Sequence, residues 1–507
     1  MSGSSQDPRI LDLPLLPREL FWMVLDLLGP NDIVHCRRVS RLWNEAFGDP
    51  ANLIPLLKKL FPFAKEIREL YANTGSLVDS GDNSYWRSLF DQIASRYARL
   101  GRGKPKSIQR HKLCDEFGIA GEREWFQIQP WDIHASHLMQ RVDLPFSETF
   151  WSYDDGLLVY PSADHTCLVL MDLDSDRKFM VPFIITGKVI RRIRLQRQVL
   201  VVEWAEPKAF HWLNDSDGVH RHFASSFDVG KKSDGWKITF RNEWKIMVLG
   251  HPLSERDRFY STHSQTHYAI YFWQPNRSLY TADDDAPIES LSVWDISKPS
   301  SYRPSLDPTG RPPVEGEDSG PSIVSKFGFR ELDFYSVRQR GLPGIQWLNI
   351  TEDNQAIEIF ENLCTGPVDR FTGPAEWTSL VHLTSIPVTG HGPGWRQNLD
   401  IILPPYRGNS SLQTSPLSLA ICDEPWYTII SEAEDYEAGV GFCLHLSQAT
   451  WPFDLKPSLS IRTPSSDITL KNADIFELTG KGRICGTERY LLGENANREL
   501  IIYRFDR

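Results

Sequence analysis

The hydrophobic residues of this sequence change their spacing near residue 120, and this change limits the folds that the chain can adopt. Before that point, apolar residues recur every three or four positions, which is the spacing of amphipathic helices. After it they form short runs in pairs, such as Val199–Trp204 and Ala209–Leu213, on either side of a polar turn. The sequence therefore predicts a small all-α N-terminal part and a large all-β part.

The paired strands recur with a period of about 40–60 residues, as the four-stranded blades of a β-propeller do. Another such pair is Ile345–Ile350 with Ala356–Phe360. Residues 119–507 have room for a β-propeller of about six or seven blades, and paired β-sandwiches are the alternative. Because an open propeller leaves two bare edges, a strand from residues 115–150 is expected to pair near the C-terminus.

Residues 16–43 predict three short helices. The first has one apolar face, formed by Leu16, Leu20, Met23, Val24 and Leu27. Gly29-Pro30 is predicted to end this helix, Asn31 to cap the second and Ser40 to cap the third. Three helices of this length cannot bury all of their apolar side chains against one another, so part of this surface requires an outside partner.

The same stretch resembles the F-box. The family pattern is matched by Leu16-Pro17-Arg18-Glu19-Leu20, Leu27-Leu28, Asp32-Ile33 and Val39-Ser40-Arg41-Leu42-Trp43, and it covers less than a tenth of the 507 residues. The resemblance implies docking onto the Skp-type adaptor of cullin-RING ubiquitin ligases and, through it, onto a cullin. The adaptor-binding residues that it implies are Leu16, Pro17, Leu20, Leu28, Ile33, Val39 and Trp43.

These features divide the chain into four expected parts: a flexible leader (1–13), an F-box (14–60), a helical linker (61–118) and a β-propeller-like substrate-binding domain (119–507). In the linker, residues 85–100 predict one helix. A proline- and glycine-rich acidic stretch predicts a disordered loop near 302–322. With Val293-Trp294-Asp295-Ile296 followed by Lys298-Pro299-Ser300, the layout resembles filamentous-fungal F-box proteins with a divergent β-propeller-like C-terminal region.

Composition limits the partners and the cellular compartments that suit this chain. The net charge of −11 argues against bulk nucleic-acid binding, and the 41% hydrophobic and 24% charged residues are ordinary for a globular chain. The seven cysteines are scattered without CxxC spacing, which argues against a disulfide framework or a zinc cluster. No apolar run is long enough to span a membrane, and no signal sequence is visible. A cytoplasmic or nuclear protein is therefore expected.

Motifs for enzymatic chemistry are absent from the sequence: there is no GxSxG, no P-loop, no HExxH and no GxGxxG that opens a helix. His263 and His267, His220 and His222, and the run 283–285 have spacings that metal sites also use. Solvated turns or strand edges are the better interpretation of all three groups. We therefore expect no catalytic residues, no metal and no cofactor.

One basic stretch, residues 191–197, suits target binding. If it forms a strand, Arg192 and Arg194 point to one side, while Ile193 and Leu195 point to the other. Two guanidinium groups on a propeller rim would bind a phosphorylated or acidic target peptide through charge-assisted hydrogen bonds. The alternative is an outer strand with a charged, solvated face.

The sequence therefore favours a non-catalytic substrate-recognition subunit of a Skp–cullin–F-box ubiquitin ligase, which links a protein target to the ligase. An F-box scaffold that acts with the adaptor alone is the second hypothesis. A propeller enzyme with a helical cap is the third, and it requires catalytic side chains that converge in a channel. Neither the target nor its modification state can be read from the sequence.

Overall fold

The computed structural model describes most of the chain. The described ranges are 13–74, 83–113, 119–120, 123–124, 150–214, 217–246, 253–254, 258–274, 287–307, 318–340, 344–363, 378–402, 427–448, 455–470, 477–478, 483–495 and 497–506. The predicted leader except for Leu13, nearly all of the segment 115–150 and the acidic run 283–285 lie outside these ranges. So does the middle of the predicted loop 302–322.

The described residues between 13 and 100 form helices, as predicted. A short 3-10 turn, Leu13–Leu15, precedes α1 (Arg18–Leu25), α2 (Pro30–Cys36), α3 (Arg41–Phe47), α4 (Pro50–Leu60), α5 (Lys65–Thr74) and α6 (Asn83–Leu100). One further helix, α7 (Phe329–Phe334), lies within the β part.

The ends of the first three helices agree with the sequence in part. The Ser40 hydroxyl accepts a hydrogen bond of 3.2 Å from the Trp43 backbone N–H, so its predicted capping role is confirmed. The prediction that Asn31 caps α2 is wrong, because the helix already begins at Pro30. Gly29 is the N-cap instead, and its N–H donates to the Asp32 carboxylate at 3.1 Å.

The remainder is all-β. The strands are β1 (Ser107–Lys112), β2 (Ile119–Ala120), β3 (Arg123–Glu124), β4 (Ser152–Asp154), β5 (Leu157–Pro161), β6 (Cys167–Asp172), β7 (Arg177–Ile184), β8 (Val189–Gln196), β9 (Val199–Ala205), β10 (His211–Asn214), β11 (Asp217–His220), β12 (His222–Lys232), β13 (Gly235–Lys245), β14 (Leu253–Ser254) and β15 (Arg258–His263). They continue as β16 (His267–Gln274), β17 (Ile288–Asp295), β18 (Ser322–Phe327), β19 (Ile345–Ile350), β20 (Ala356–Leu363), β21 (Thr378–Pro387), β22 (Trp395–Ile402), β23 (Tyr427–Asp435), β24 (Val440–Gln448), β25 (Leu455–Thr463), β26 (Ser466–Leu470), β27 (Cys485–Gly486), β28 (Tyr490–Glu494) and β29 (Glu499–Arg504).

Within the described ranges these strands form six antiparallel four-stranded sheets that follow one another along the chain. The first to the sixth sheet are β4-β5-β6-β7, β8-β9-β12-β13, β15-β16-β17-β18, β19-β20-β21-β22, β23-β24-β25-β26 and β27-β28-β29-β1. A three-stranded sheet, β10-β11-β14, and the pair β2-β3 are separate from these six.

Neighbouring sheets share hydrophobic cores. The first and second sheets pack through Phe183 and Trp204, and the second and third through Trp244 and Tyr268, with ring centroids 6.1 and 5.0 Å apart. Another core joins the third sheet to the fourth, and one more joins the sixth sheet to the first. Each sheet in these pairs therefore buries a face against the next sheet, and the last sheet packs on the first.

The first long strand of the chain completes the last sheet. Strand β1 pairs with β29, with Ser107 opposite Arg504 and Lys112 opposite Glu499. The C-terminal strands were expected to pair with a strand from residues 115–150. The structure instead gives them β1, which lies earlier, inside the range expected to be a helical linker. The sequence does not reveal this strand because it lies at a sheet edge, where polar side chains occupy both of its faces.

The turns that follow the first strands of four sheets meet around Arg197. Its backbone N–H donates to the Asp154 carboxylate at 2.7 Å, and its carbonyl accepts from the Gln265 amide at 3.1 Å. Its guanidinium reaches Glu352 at 3.2 Å. Because these turns belong to the first, second, third and fourth sheets, the first strands of these sheets end close to one another.

Helix α6 attaches the helical part to the β part. It carries the helix predicted over residues 85–100, and its apolar face is buried, including Trp86, Phe90 and Ile93. This face belongs to one continuous hydrophobic core that also includes α1 to α4, the fifth sheet and the sixth sheet. The helices are therefore packed into the β part rather than tethered to it.

A buried network of charges reinforces this junction. Arg96 of α6 has no exposed surface and donates two hydrogen bonds to the Glu66 carboxylate of α5, at 2.8 and 2.7 Å. It also lies 3.3 Å from Glu488 in the turn between β27 and β28. The neighbouring Arg489 donates to Glu66 at 2.7 Å and to Asp174 of the first sheet at 2.9 Å.

The ends of the loop predicted to be disordered are attached to the β part. Ser300 donates from its hydroxyl to Asp318 at 2.6 Å, and the Ser305 N–H donates to Glu243 at 3.0 Å. Arg303 lies over the ring of Phe240, 4.1 Å from its centroid. Both ends of this long connection between β17 and β18 are thus held by specific contacts.

Candidate adaptor-binding surface

Helices α1 to α3 enclose a small aromatic core. Phe21, Leu25, Ile33 and Phe47 are each at most 6% exposed. The ring of Phe47 meets that of Phe21 edge-on at 5.1 Å and stacks on that of Trp43 at 5.3 Å. These contacts hold the three helices together, so that the side chains on their other faces are presented on a defined surface.

The outward faces of the same helices, and the turns before and between them, carry exposed apolar residues. Six large apolar side chains are between 37% and 87% exposed: Leu15, Leu20, Met23, Leu27, Val39 and Leu42. Leu20 and Met23 lie three residues apart on one face of α1, and the turn that contains Leu15 packs beside α3, which contains Leu42. Covering one such side chain stabilises a complex by about 1.5–3 kcal/mol, so this surface suits a protein partner.

The seven residues expected to bind the adaptor fall into three groups. Pro17, Leu20 and Val39 are exposed, whereas Leu16, Leu28 and Trp43 are partly buried and pack against the core. Ile33 is completely buried among the helices. Direct contact of Ile33 with a partner is therefore excluded in this conformation, and its place in the sequence pattern reflects support of the helices from within.

The structure adds Leu15, Met23, Leu27 and Leu42 to the residues that a partner can reach. The helical spacing had already placed Met23 and Leu27 on one apolar face, but the seven residues expected to bind the adaptor did not include them. The buried side of α1 is formed by Phe21 and Leu25, which the same spacing leaves on the other side of the helix. The sequence could therefore separate the residues of α1 into two faces, but only the structure shows which face is buried and which is exposed.

Polar contacts attach this group of helices to α6. Arg37 at the end of α2 lies 2.7 Å from Asp91 of α6 and over the ring of Phe90, 5.3 Å from its centroid. Arg87 of α6 donates to the Gly48 carbonyl at 2.8 Å. A side chain at Gly48 would collide with this guanidinium, because its Cβ would lie 2.4 Å from the Arg87 Nε atom. The exposed surface is thus held in one orientation relative to α6.

The two arginines expected to bind a target lie on one side of β8, as the strand periodicity predicts. Both reach Ser261 in β15 of the third sheet: Arg194 donates to its carbonyl at 2.5 Å, and Arg192 donates to its hydroxyl at 3.1 Å. Arg192 is buried and Arg194 is partly buried. The backbone of a neighbouring sheet therefore occupies the position proposed for a target anion, and the pair bridges the second and third sheets.

His222 and His263 were interpreted from the sequence as solvated turn or strand-edge residues, but both are buried, neutral and structural. The Nε2 atom of His222 accepts a hydrogen bond from Arg191 at 2.8 Å, while its Nδ1 contacts the His220 carbonyl at 2.9 Å. Burial lowers the pKa of His222 well below its usual value and lowers that of His263 to about 3. In the described part of the chain, no three His, Cys, Asp or Glu residues are grouped to hold a metal ion.

Comparison with known families identifies the helical region. Residues 13–53 match the F-box-like family model. This range contains the turn Leu13–Leu15, helices α1 to α3 and the start of α4, and therefore all six exposed apolar residues described above. The chain thus carries an F-box-like domain at its N-terminal end. No curated protein matches the chain.

Several solved structures align with much of the chain at low similarity. A chain of the mitotic checkpoint complex is 8% identical with a TM-score of 0.31, and the alignment covers 79% of this chain and 95% of that one. Hydrazine synthase of Kuenenia stuttgartiensis is 11% identical with a TM-score of 0.27, and the alignment covers 72% of this chain and 97% of that one. The α-L-arabinofuranosidase from Lactobacillus brevis is 8% identical with a TM-score of 0.23, and the alignment covers 64% of this chain and 91% of that one.

None of the described helices is long and apolar enough to cross a membrane.

Proposed function

We propose that this protein is the substrate-recognition subunit of a Skp–cullin–F-box ubiquitin ligase. The observation that carries the proposal is the F-box-like domain at residues 13–53, whose helices expose apolar side chains. F-box domains generally belong to non-catalytic subunits that bind Skp-type adaptors. The proposed role is accordingly to bring a protein target to the ligase, not to catalyse ubiquitin transfer.

The proposed contact with the adaptor has an outer and an inner layer. Pro17, Leu20 and Val39 form the contact together with the exposed leucines and Met23. Leu16, Leu28 and Trp43 border it from partly buried positions, and Ile33 supports it from the core. This division predicts that outer substitutions weaken adaptor binding, whereas inner substitutions first weaken the fold.

We also propose that the six sheets are the blades of one six-bladed β-propeller. Three observations support this arrangement. Cores join the first sheet to the second, the second to the third, the third to the fourth and the fifth to the sixth; another core is shared by the sixth and first sheets; and β1 pairs with β29. In such a ring an N-terminal strand closes the last blade and leaves no open edge between the chain ends. Paired β-sandwiches would not require the sixth sheet to pack on the first.

The β part would hold the target while the helices hold the adaptor. Binding both together raises the effective concentration of the target's lysines near the ubiquitin-conjugating enzyme. The close packing of α6 on the fifth and sixth sheets keeps the two binding surfaces in one relative orientation. The proposed compartment is the cytoplasm, the nucleus or both, since scattered cysteines without CxxC spacing suit a reducing compartment.

The test is co-purification of the full chain with a Skp-type adaptor and a cullin. The variant Leu20→Glu/Val39→Glu places charges on two exposed apolar positions of the F-box-like domain. The matched control, Met180→Glu/Ile184→Glu, makes the same change at two similarly exposed positions of β7. We expect the first variant to bind the adaptor at least about tenfold more weakly and the control to bind normally.

Equal capture of the adaptor by both variants and the unmodified chain would refute the assignment of this surface. Capture of the adaptor without a cullin would identify a scaffold that acts with the adaptor alone. Capture of both in the unmodified chain, and of neither in the Leu20→Glu/Val39→Glu variant, is the result that supports a ligase subunit.

A further inference from the structure

Outside the helical part, exposed apolar residues concentrate on one short segment at the outer edge of the third sheet. Ile323 and Val324 lie on β18, the terminal strand of this sheet, and Phe329 and Phe334 lie on α7. All four are exposed, and Phe334 is 73% exposed. We refer to these four residues, together with Lys326, Arg330, Arg338 and Arg340, as the rim patch.

The backbone beneath the rim patch is firmly held. Leu332 of α7 is completely buried in the core between the third and fourth sheets. The Gly328 N–H donates to the Glu331 carboxylate at 2.9 Å and thereby caps the helix. Tyr335 donates from its hydroxyl to the Gly392 carbonyl at 2.9 Å, and its ring meets that of Phe334 at 4.9 Å. Phe334 is therefore exposed on a rigid support.

The rim patch is basic although the chain as a whole is acidic. Residues 323–340 contain four Lys or Arg and two Asp or Glu residues, which gives 4 − 2 = +2, whereas the whole chain carries −11. Asp333 already accepts hydrogen bonds from Arg340 at 2.8 Å and from Arg338 at 3.1 Å. Glu331 caps the helix and keeps its charge, so the patch as a whole remains at +2, with Lys326 and Arg330 among its exposed basic side chains.

The patch combines the side chains that dominate binding energy at protein interfaces. The Arg338 guanidinium lies over the ring of Phe329, 4.5 Å from its centroid, so arginine and aromatic surfaces form one continuous platform. Aromatic residues and arginine are enriched among the positions that contribute most to binding. A terminal strand such as β18 also offers backbone groups to an extended peptide.

We propose that the rim patch binds an extended acidic segment of the target protein. The apolar side chains of that segment would pack on Phe329 and Phe334, while its carboxylates would face Lys326 and Arg330. This inference rests on the proposed function, because it names the class of target that the receptor accepts. It places target recognition on the outer edge of the third sheet rather than at Arg192 and Arg194.

The proposal is tested with fluorescein-labelled peptides and the full chain in complex with its adaptor. The probe is a short peptide of alternating Glu and Leu, and the comparison peptides alternate Lys with Leu and Glu with Ser. The rim variant is Phe334→Ser/Arg330→Glu. The matched control is Phe210→Ser/Lys208→Glu, which changes an exposed phenylalanine and an exposed lysine next to β10.

We expect the Glu–Leu peptide to bind the unmodified chain, and to bind it more weakly as salt is added, because exposed charges are screened. The rim variant should bind this peptide at least about tenfold more weakly, and the control variant should bind it like the unmodified chain. The Lys–Leu peptide should not bind because its charge is repelled. The Glu–Ser peptide should bind weakly because it lacks apolar side chains.

Two results would overturn the proposal. The first is equal binding of the Glu–Leu peptide to the rim variant and the unmodified chain, or no binding to either. The second is a concentration-dependent dimer of the unmodified chain that the rim variant abolishes, which would assign the patch to a second copy of this protein. Adaptor capture is measured in parallel. Failure of the unmodified chain to capture the adaptor would contradict the proposed function. Capture of the adaptor without binding of the peptide would contradict only the proposed role of the rim patch.

Discussion

Arg96 of α6 and Glu66 of α5 lie at the junction of the helical and β parts, where two hydrogen bonds of 2.8 and 2.7 Å join them. Burial alone would raise the pKa of Glu66, but its hydrogen bonds and its charge interactions with Arg96 and Arg489 lower it to about 2. Both partners are therefore charged at neutral pH. The pair also contacts Glu488 and Arg489 in the turn between β27 and β28 of the sixth sheet, which means that the helices are an integral part of the fold.

The first prediction concerns Arg96→Met, which keeps most of the side-chain volume but removes the charge. The change leaves the carboxylates of Glu66 and Glu488 close together in a buried site without their shared partner. Removing one member of a buried ion pair costs about 3–5 kcal/mol. We expect the midpoint of urea unfolding, measured by tryptophan fluorescence, to be clearly lower than that of the unmodified chain.

The control for this prediction is Arg41→Met. Arg41 pairs with Glu45 at 3.1 Å on the surface of α3, where both side chains are well exposed. Exposed pairs of this kind contribute about 0–1 kcal/mol, so the midpoint should hardly change. If Arg96→Met were as stable as Arg41→Met, the buried network would not hold the junction.

The periodic elements of this fold were predictable from the sequence, because burial on one side leaves a regular pattern. The buried face of α6 and the paired strands around short polar turns belong to this class. Strand β1 was not predictable, since it lies at an edge and carries polar residues such as Gln109 and His111. Its partner, Glu499–Arg504, is also almost the whole chain away.

The candidate sites show the same limit. The F-box pattern located the right helices, but the pattern gives no burial. Ile33, which was expected to bind the adaptor, is buried, whereas Met23, which was not in that set, is exposed. The alternation of Arg192 and Arg194 was correct, whereas their partner Ser261 lies on another sheet. The exposure of Phe334 depends on contacts of α7 with the third and fourth sheets, and no local pattern reports such contacts.

The second prediction concerns the boundary of the β part. A fragment that begins at residue 119, where the propeller-like domain was expected to start, lacks β1 and α6. It should be unstable, because the edge of β29 and the apolar surface beneath α6 both become exposed. Limited proteolysis and size-exclusion chromatography should show an aggregated or rapidly degraded fragment.

A longer fragment that begins at residue 50 is the matched comparison. It retains α4, α5, α6 and β1, and with them the Arg96 network, while it lacks α1 to α3. This fragment should fold but should not bind the adaptor. A stable, monomeric fragment 119–507 would show that the helices are not part of the β fold.

The third prediction concerns the bridge between the second and third sheets. In Arg192→Met/Arg194→Met, the buried carbonyl of Ser261 loses both of its arginine donors, at a cost of about 1–3 kcal/mol. The urea midpoint should fall, while adaptor capture and binding of the Glu–Leu peptide should persist under conditions in which the variant is folded. Unchanged stability with loss of peptide binding would restore the target-binding role of these arginines.

The last prediction concerns the response of stability to pH. The His263 ring is buried between the second and third sheets, and burial, with Arg194 close by, lowers its pKa to about 3 from the ordinary value of 6.5. Below pH 6.5 the unfolded chain therefore takes up a proton that the folded chain does not bind. Stability should consequently fall as the pH is lowered from 7 to 5, by about 2 kcal/mol for this residue.

The variant His263→Gln separates this contribution from all others. Glutamine does not titrate, so the variant should lose less stability between pH 7 and pH 5 than the unmodified chain does, even if it is less stable throughout. Glu66 does not interfere, because its stabilising effect is complete above its ordinary value of 4.5 and is lost only as the pH falls further towards 2. Identical slopes for His263→Gln and the unmodified chain would mean that His263 is not held neutral by the fold.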